Sequence, residues 1–216
     1  MIPKYPRPRR PTGAFGGHEI LHALQWDRDR WIWLLLIVAL LDGLWAIGDS
    51  ATLALQYDRA AIAAGGWWRL LTAHLVHLDL HHLLLNELGL VLTWALFAAD
   101  FDAVDWLIIA LAGALAISCG LWWLSPTVTW YVGASGVLHA IMAAGVARHL
   151  ATHAWDRWLL LGAGLFKLAL EHYLHAHGQG AALVVIDAHI YGAAAGFLVG
   201  AALCWRLAII DRRTPS

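Results

Sequence analysis

The chain has 216 residues, 61% of them hydrophobic and 13% charged, with a formal net charge of −1. Soluble domains run nearer ~45–50% apolar and ~25% charged, so this composition excludes a water-facing globule and points to a polytopic membrane protein. The near-zero charge also argues against a nucleic-acid footprint. The two cysteines, Cys119 and Cys204, lie in apolar stretches and read as small interior residues rather than a disulfide framework.

Residues 1–30 are rich in proline and arginine (Pro3, Pro6, Arg7, Pro8, Arg9, Arg10, Pro11) and read as a cytoplasmic tail. The apolar run that follows is too long for a signal peptide and lacks a small-residue cleavage site. A helical span needs roughly 20 apolar residues. That rule predicts six spans, near 31–48, 75–99, 105–124, 133–151, 157–176 and 183–209, with 49–74 as the one long connection. The fold class expected is therefore an all-α, six-helix membrane bundle over 31–209, followed by a short cytoplasmic tail at 210–216. Basic residues are concentrated before the first span, between the fourth and fifth, and after the sixth, which predicts both termini inside.

In that topology the second, fourth and sixth spans all enter from the outer side. Each carries polar residues near its outer end: His82 and Asn86, Ser135, and His189. Ionisable groups inside a bilayer are costly and mark function by default. Gly133-Ala134-Ser135-Gly136 places a serine at a helix start between glycines, where free backbone N–H groups suit an oxyanion. The alternative reading of this serine is a helix cap in a close helix contact. His189-x-x-Gly192-x-x-x-Gly196-x-x-x-Gly200 forms a stripe of small residues, and Gly136, Ala140 and Ala144 form another. Such stripes let membrane helices approach closely, and their meeting would bring Ser135 beside His189. His189 alone would also read as a satisfied interior histidine.

The order Trp68-Arg69, His77-x4-His82-x3-Asn86, Gly133-x-Ser135-Gly136 and Ala188-His189-x-x-Gly192 resembles the rhomboid family of intramembrane serine proteases. The resemblance spans residues 31–209. It implies a Ser–His dyad without a third acidic member: Ser135 as nucleophile, His189 as general base, and His82, Asn86 and the Ser135 N–H as the oxyanion hole. Gly133, Gly136, His77, His139, Gly192 and Gly196 would support the site. Many rhomboids carry a tyrosine four residues after the nucleophile, where this chain has His139. Together with the compact layout, this resembles the rhombosortase branch. That branch implies membrane-anchored substrates with a C-terminal Gly-Gly tail, a membrane helix and a basic end. It also implies a bacterial inner membrane, an active site towards the periplasm, and no cofactor or metal.

Other features compete. His18-Glu19-x-x-His22 matches a zinc-protease motif, but it precedes Asp27-Arg28-Asp29-Arg30 outside any apolar span, so zinc is discounted. Lys167 and Glu171 lie four apart and read as a mutually neutralising pair. A second reading makes them, with His172, a substrate-recognition element at a lateral gate. An inactive client-binding rhomboid-like protein and a transporter are the readings outside proteolysis. The lack of an internal repeat weakens the transporter.

Overall fold

The computed structural model describes residues 28–152, 155–177 and 185–213. Six long helices are α1 (Arg28–Ile47), α5 (Leu80–Phe97), α6 (Ala103–Trp123), α7 (Ser135–Ala151), α8 (Arg157–Ala176) and α9 (Ile186–Arg213). Between α1 and α5 lie the short helices α2 (Asp49–Leu55), α3 (Arg59–Ala63) and α4 (Arg69–Thr72). A two-stranded antiparallel ribbon pairs β1 (Tyr57–Asp58) with β2 (Trp130–Tyr131), Tyr57 opposite Tyr131.

Three of these helices are long and apolar enough to cross a membrane: Leu80–Phe97, Ala103–Trp123 and Ile186–Arg206. The pair Trp31–Ile47 and Asp49–Leu55, bent by 110° at Gly48, makes a fourth if taken as one broken span. The chain is thus a multi-pass membrane protein, but length and hydropathy do not select all six expected spans. α7 has only 17 residues, and α8 carries Arg157, Lys167 and Glu171 in its apolar run. Large apolar side chains such as Leu35, Leu36, Leu84, Leu88 and Leu198 are exposed, as a lipid-facing surface requires.

Helix starts also correct the sequence boundaries. The second long helix begins at Leu80 rather than 75, because the Asp79 side chain caps it by accepting from the His82 N–H at 2.7 Å. Asp102 caps α6 in the same way, accepting from the Asp105 N–H at 2.8 Å. The 49–74 connection is itself folded. Arg69 donates to the carbonyls of Leu53 and Gln56, Trp68 Nε1 to that of Ala54, and Thr72 Oγ1 to that of Leu55. The Trp-Arg pair therefore closes the carbonyl end of α2, which no intrahelical donor can satisfy.

The centre of the bundle is the contact of α7 with α9. A Cβ placed on Gly192, Gly196 or Gly200 would overlap the carbonyl oxygen of Gly136, Ala140 or Ala144 respectively. The two small-residue stripes thus meet backbone to backbone, in matching register. Lipid tails offer no hydrophobic drive for helix association, so this close packing supplies the dispersion that holds the pair. On the other side of α7, Leu90, Trp94, Phe97 and Ile109 form a buried apolar cluster with Leu138 and Ile141.

Candidate active site

The site is assembled at one end of this contact. Ser135 is the first residue of α7 and His189 the fourth of α9. With Gly136 and Gly192 directly opposed, Ser135 Oγ and His189 Nε2 lie 2.8 Å apart. The turn entering α7 needs Gly133, whose φ of 115° disfavours any side chain. A Cβ there would also strike the His82 ring at 2.6 Å. The turn is held by Gly133 N–H donating to the Ala73 carbonyl at 3.0 Å and by Tyr131 Oη–H donating to the Gly133 carbonyl at 2.8 Å.

Two anchors that the sequence did not single out hold the segments leading to the site. Arg59 Nη2 donates to the carbonyls of Leu121 and Trp122 at 2.6 and 3.0 Å, capping α6 and tying down the strand that leads to Ser135. His74 is buried, with Nε2 3.1 Å from the Ala114 carbonyl, and Ser118 Oγ donates to the Leu70 carbonyl at 2.6 Å. These bonds fasten the 70–79 segment onto α6.

On the α5 side, the Asn86 amide donates from Nδ2 to the His82 carbonyl at 2.7 Å, and its Oδ1 is buried without a partner. His77 packs edge-on to His82 with centroids 5.2 Å apart, and both its ring nitrogens are buried without partners. His77 lies in the segment before α5, where burial lowers its pKa to about 4, with His82 adding to the effect. Its ring is therefore neutral near pH 7 and retains one N–H to donate.

On the α8 side the arrangement differs from a bare dyad. His189 Nδ1 lies 2.8 Å from Glu171 Oε2. Lys167 Nζ bonds the other oxygen, Glu171 Oε1, and also lies 3.0 Å from His139 Nε2. His139 Nδ1 lies 2.7 Å from the Ser135 carbonyl, and its ring stacks on that of His189, with centroids 4.2 Å apart and planes within 16°. Lys167 and Glu171, expected as a self-contained pair or a gate, thus belong to the surroundings of His189. The expectation of no acidic neighbour is corrected: α8 turns Glu171 towards α9. His172, the next residue, is exposed and stands outside this chain of contacts. His18 and His22 lie outside the described residues.

His139, Glu171 and His189 offer ligand atoms all within 4.8 Å of one another. A dication there would have to displace or neighbour the Lys167 ammonium, which already supplies positive charge to Glu171. The donor set therefore fits a hydrogen-bonded network better than a metal centre.

A family model, the rhomboid domain, matches residues 64–206, more than half of the chain and all the residues of this site. The chain belongs to the rhomboid family. No curated protein matches it. Rhomboids are intramembrane serine proteases. Membership adds a reaction class to the contact of Ser135 with His189.

Proposed function

We propose that this rhomboid is an active intramembrane serine endopeptidase with Ser135 as nucleophile and His189 as general base. The observation that carries the reading is the 2.8 Å approach of Ser135 Oγ to His189 Nε2 at the end of two tightly packed helices. In the reaction, Ser135 Oγ attacks the scissile carbonyl carbon while its proton passes to His189 Nε2. The tetrahedral oxyanion takes hydrogen bonds from the Ser135 N–H and from Asn86 and His82. His189 then gives the proton to the leaving amine, the C–N bond breaks, and water, activated by the same imidazole, releases the acyl group. His77 and the glycines Gly133, Gly136, Gly192 and Gly196 hold the frame.

The substrate in this reading is a membrane-anchored protein cut near the outer end of its transmembrane helix. A helix hides its carbonyls in hydrogen bonds, so cleavage needs local unwinding. Glycines unwind most cheaply, at ~1 kcal/mol each relative to alanine. A C-terminal Gly-Gly tail followed by a helix and a basic end fits this demand and the rhombosortase-like His139 after the nucleophile. Six spans over 31–209, both termini cytoplasmic and a periplasm-facing site in a bacterial inner membrane complete the proposal.

The test is reaction with a fluorophosphonate probe, comparing wild type with Ser135→Ala and His189→Ala, together with a Gly-Gly-tailed reporter whose new C-terminus is mapped by mass spectrometry. Wild type should label and cleave, and both variants should do neither. Labelling that survives Ser135→Ala would defeat the serine mechanism. A tail left intact while other single-span proteins are cut would leave a general rhomboid protease in place of the rhombosortase reading. An unlabelled wild type that still binds membrane clients would favour the inactive relative.

A further inference from the structure

The contacts around His189 close into a loop that begins and ends at Ser135. It runs from Ser135 Oγ to His189, Glu171, Lys167 and His139, and back to the Ser135 carbonyl. The proton positions in this loop follow from which atoms can only accept. The Ser135 carbonyl only accepts, so His139 carries its proton on Nδ1, and its Nε2 lone pair takes a proton of the Lys167 ammonium. A carboxylate only accepts, so His189 carries its proton on Nδ1 facing Glu171 Oε2. Its Nε2 is then a bare lone pair facing the Ser135 hydroxyl, the tautomer that a general base requires.

We propose that Glu171 is a positioning residue for His189, and that Lys167 keeps it in the role by holding its second oxygen. The inference rests on the proposed roles of Ser135 and His189, and adds a third member to what the family implies is a dyad. Glu171 does three things through His189. It selects the tautomer. It orients the ring along the Ser135 direction, with His139 stacked on one face to stop it turning. Its negative charge stabilises the imidazolium that forms when Ser135 gives up its proton, without itself becoming protonated. Lys167 matters because the same carboxylate left without a cation in an apolar setting would favour protonation. A protonated Glu171 could donate to His189 Nδ1 and reverse the tautomer.

The same geometry makes the test sharp. In Glu171→Gln the side chain keeps its shape, but the amide must present its oxygen to the Lys167 ammonium. Its NH2 then faces His189 Nδ1, which can only accept, so the ring proton moves to Nε2 and Ser135 loses its base. Removing the ammonium as well, in Glu171→Gln/Lys167→Met, frees the amide to turn its oxygen back to Nδ1. With a fluorophosphonate probe on the full chain in lipid vesicles, Glu171→Gln should lower kinact by roughly 10²-fold or more. KI should stay within about twofold, because binding does not involve the carboxylate. The double variant should recover about tenfold of the lost kinact, a rescue that a purely structural role would not produce.

A Glu171→Gln protein that melts like wild type and labels within twofold of its kinact, while Ser135→Ala and His189→Ala are silent, overturns the role of Glu171 and leaves the serine mechanism standing. Labelling that survives in Ser135→Ala overturns both. If Glu171→Gln does not fold, Glu171→Asp carries the test. It keeps the charge but withdraws the carboxylate by about one bond, ~1.5 Å. Unchanged kinact in that variant also overturns the role.

Discussion

Replacing Gly196 by alanine tests whether the α7–α9 contact sets the geometry of the site. The new Cβ would overlap the Ala140 carbonyl oxygen and lie 2.5 Å from Ala140 Cα, whereas ordinary van der Waals contact begins at 3.4 Å. The obstacle is backbone, so no side-chain rotation relieves it, and the helices must part by about 0.9 Å, the difference of those two distances. A rigid separation of that size would stretch the 2.8 Å Ser135–His189 bond to about 3.7 Å, beyond hydrogen-bond range. A 1 Å misplacement of reacting groups costs ~10²-fold in rate, and overpacking costs ~1–3 kcal/mol of stability. Gly196→Ala should therefore lose at least ~10²-fold in fluorophosphonate labelling and melt several degrees lower, although Gly196 touches no reacting atom. Gly162→Ala on α8 is the control, because a Cβ there meets nothing within 4 Å. It should leave labelling unchanged and raise the melting point slightly through helix propensity. Wild-type labelling and melting in Gly196→Ala would refute the claim that this contact aligns Ser135 with His189.

Three further outcomes are expected. Asn86→Ala should lower turnover of a cleaved reporter by ~10²–10³-fold with little change in KM, and equal turnover would show that Asn86 only fills space. At the opposite end of α7, His149 lies between two carboxylates, with Nδ1 2.7 Å from Asp156 and Nε2 2.8 Å from Asp100. Both ring nitrogens must donate there, so His149→Ala removes an imidazolium from a buried ion cluster. It should cost ~3–5 kcal/mol in chemical unfolding, and a loss below ~1 kcal/mol would refute the cluster's role. Acid should also weaken the fold through His74 and His77, both lowered to about 4 by burial. Between their unfolded value near 6.5 and about 4 the unfolded chain binds more protons, so stability falls as pH drops through that window. The loss is up to about 3 kcal/mol per histidine, and a melting temperature flat from pH 6.5 to 4 would refute it.

Much of this architecture was legible in the chain because membrane helices are written in simple signals. Apolar length marked the long helices, and small residues every fourth position marked the faces of α7 and α9 that touch. What composition could not show is how short elements are held by distant partners. α2, α3 and α4 are too short for periodicity. Their ends are satisfied by Trp68, Arg69 and Thr72, whose side chains reach back 13 to 17 residues. The pairing of Glu171 with His189 was hidden for a related reason. Spacing shows that Lys167 and Glu171 share a face of α8, but not the rotation that aims this face at α9. One signal was present: His139 lies one turn after Ser135 on the same face, so it stands beside any base that serves Ser135.

The distribution of satisfied polar groups also suggests where a substrate enters. On the α8 side of Ser135, every polar atom of the loop through His189, Glu171, Lys167 and His139 has a partner. Such completeness is what an apolar surrounding demands, because each unmet group there costs several kcal/mol. On the α5 side, among the described residues, His77 has two unpartnered ring nitrogens and Asn86 an unpartnered Oδ1, beside the Gly133 turn. An incoming extended peptide carries the complementary groups: N–H donors for Asn86 Oδ1, and carbonyls for the N–H of a neutral His77. The closed side thus holds the proton-transfer geometry while the unsatisfied side waits for backbone. A substrate strand should lie between α5 and the start of α7. Asn86→Asp, which keeps the acceptor but removes the amide donor, separates the two roles of that residue. It should retain KM and lose kcat, whereas a raised KM with unchanged kcat would place the peptide elsewhere.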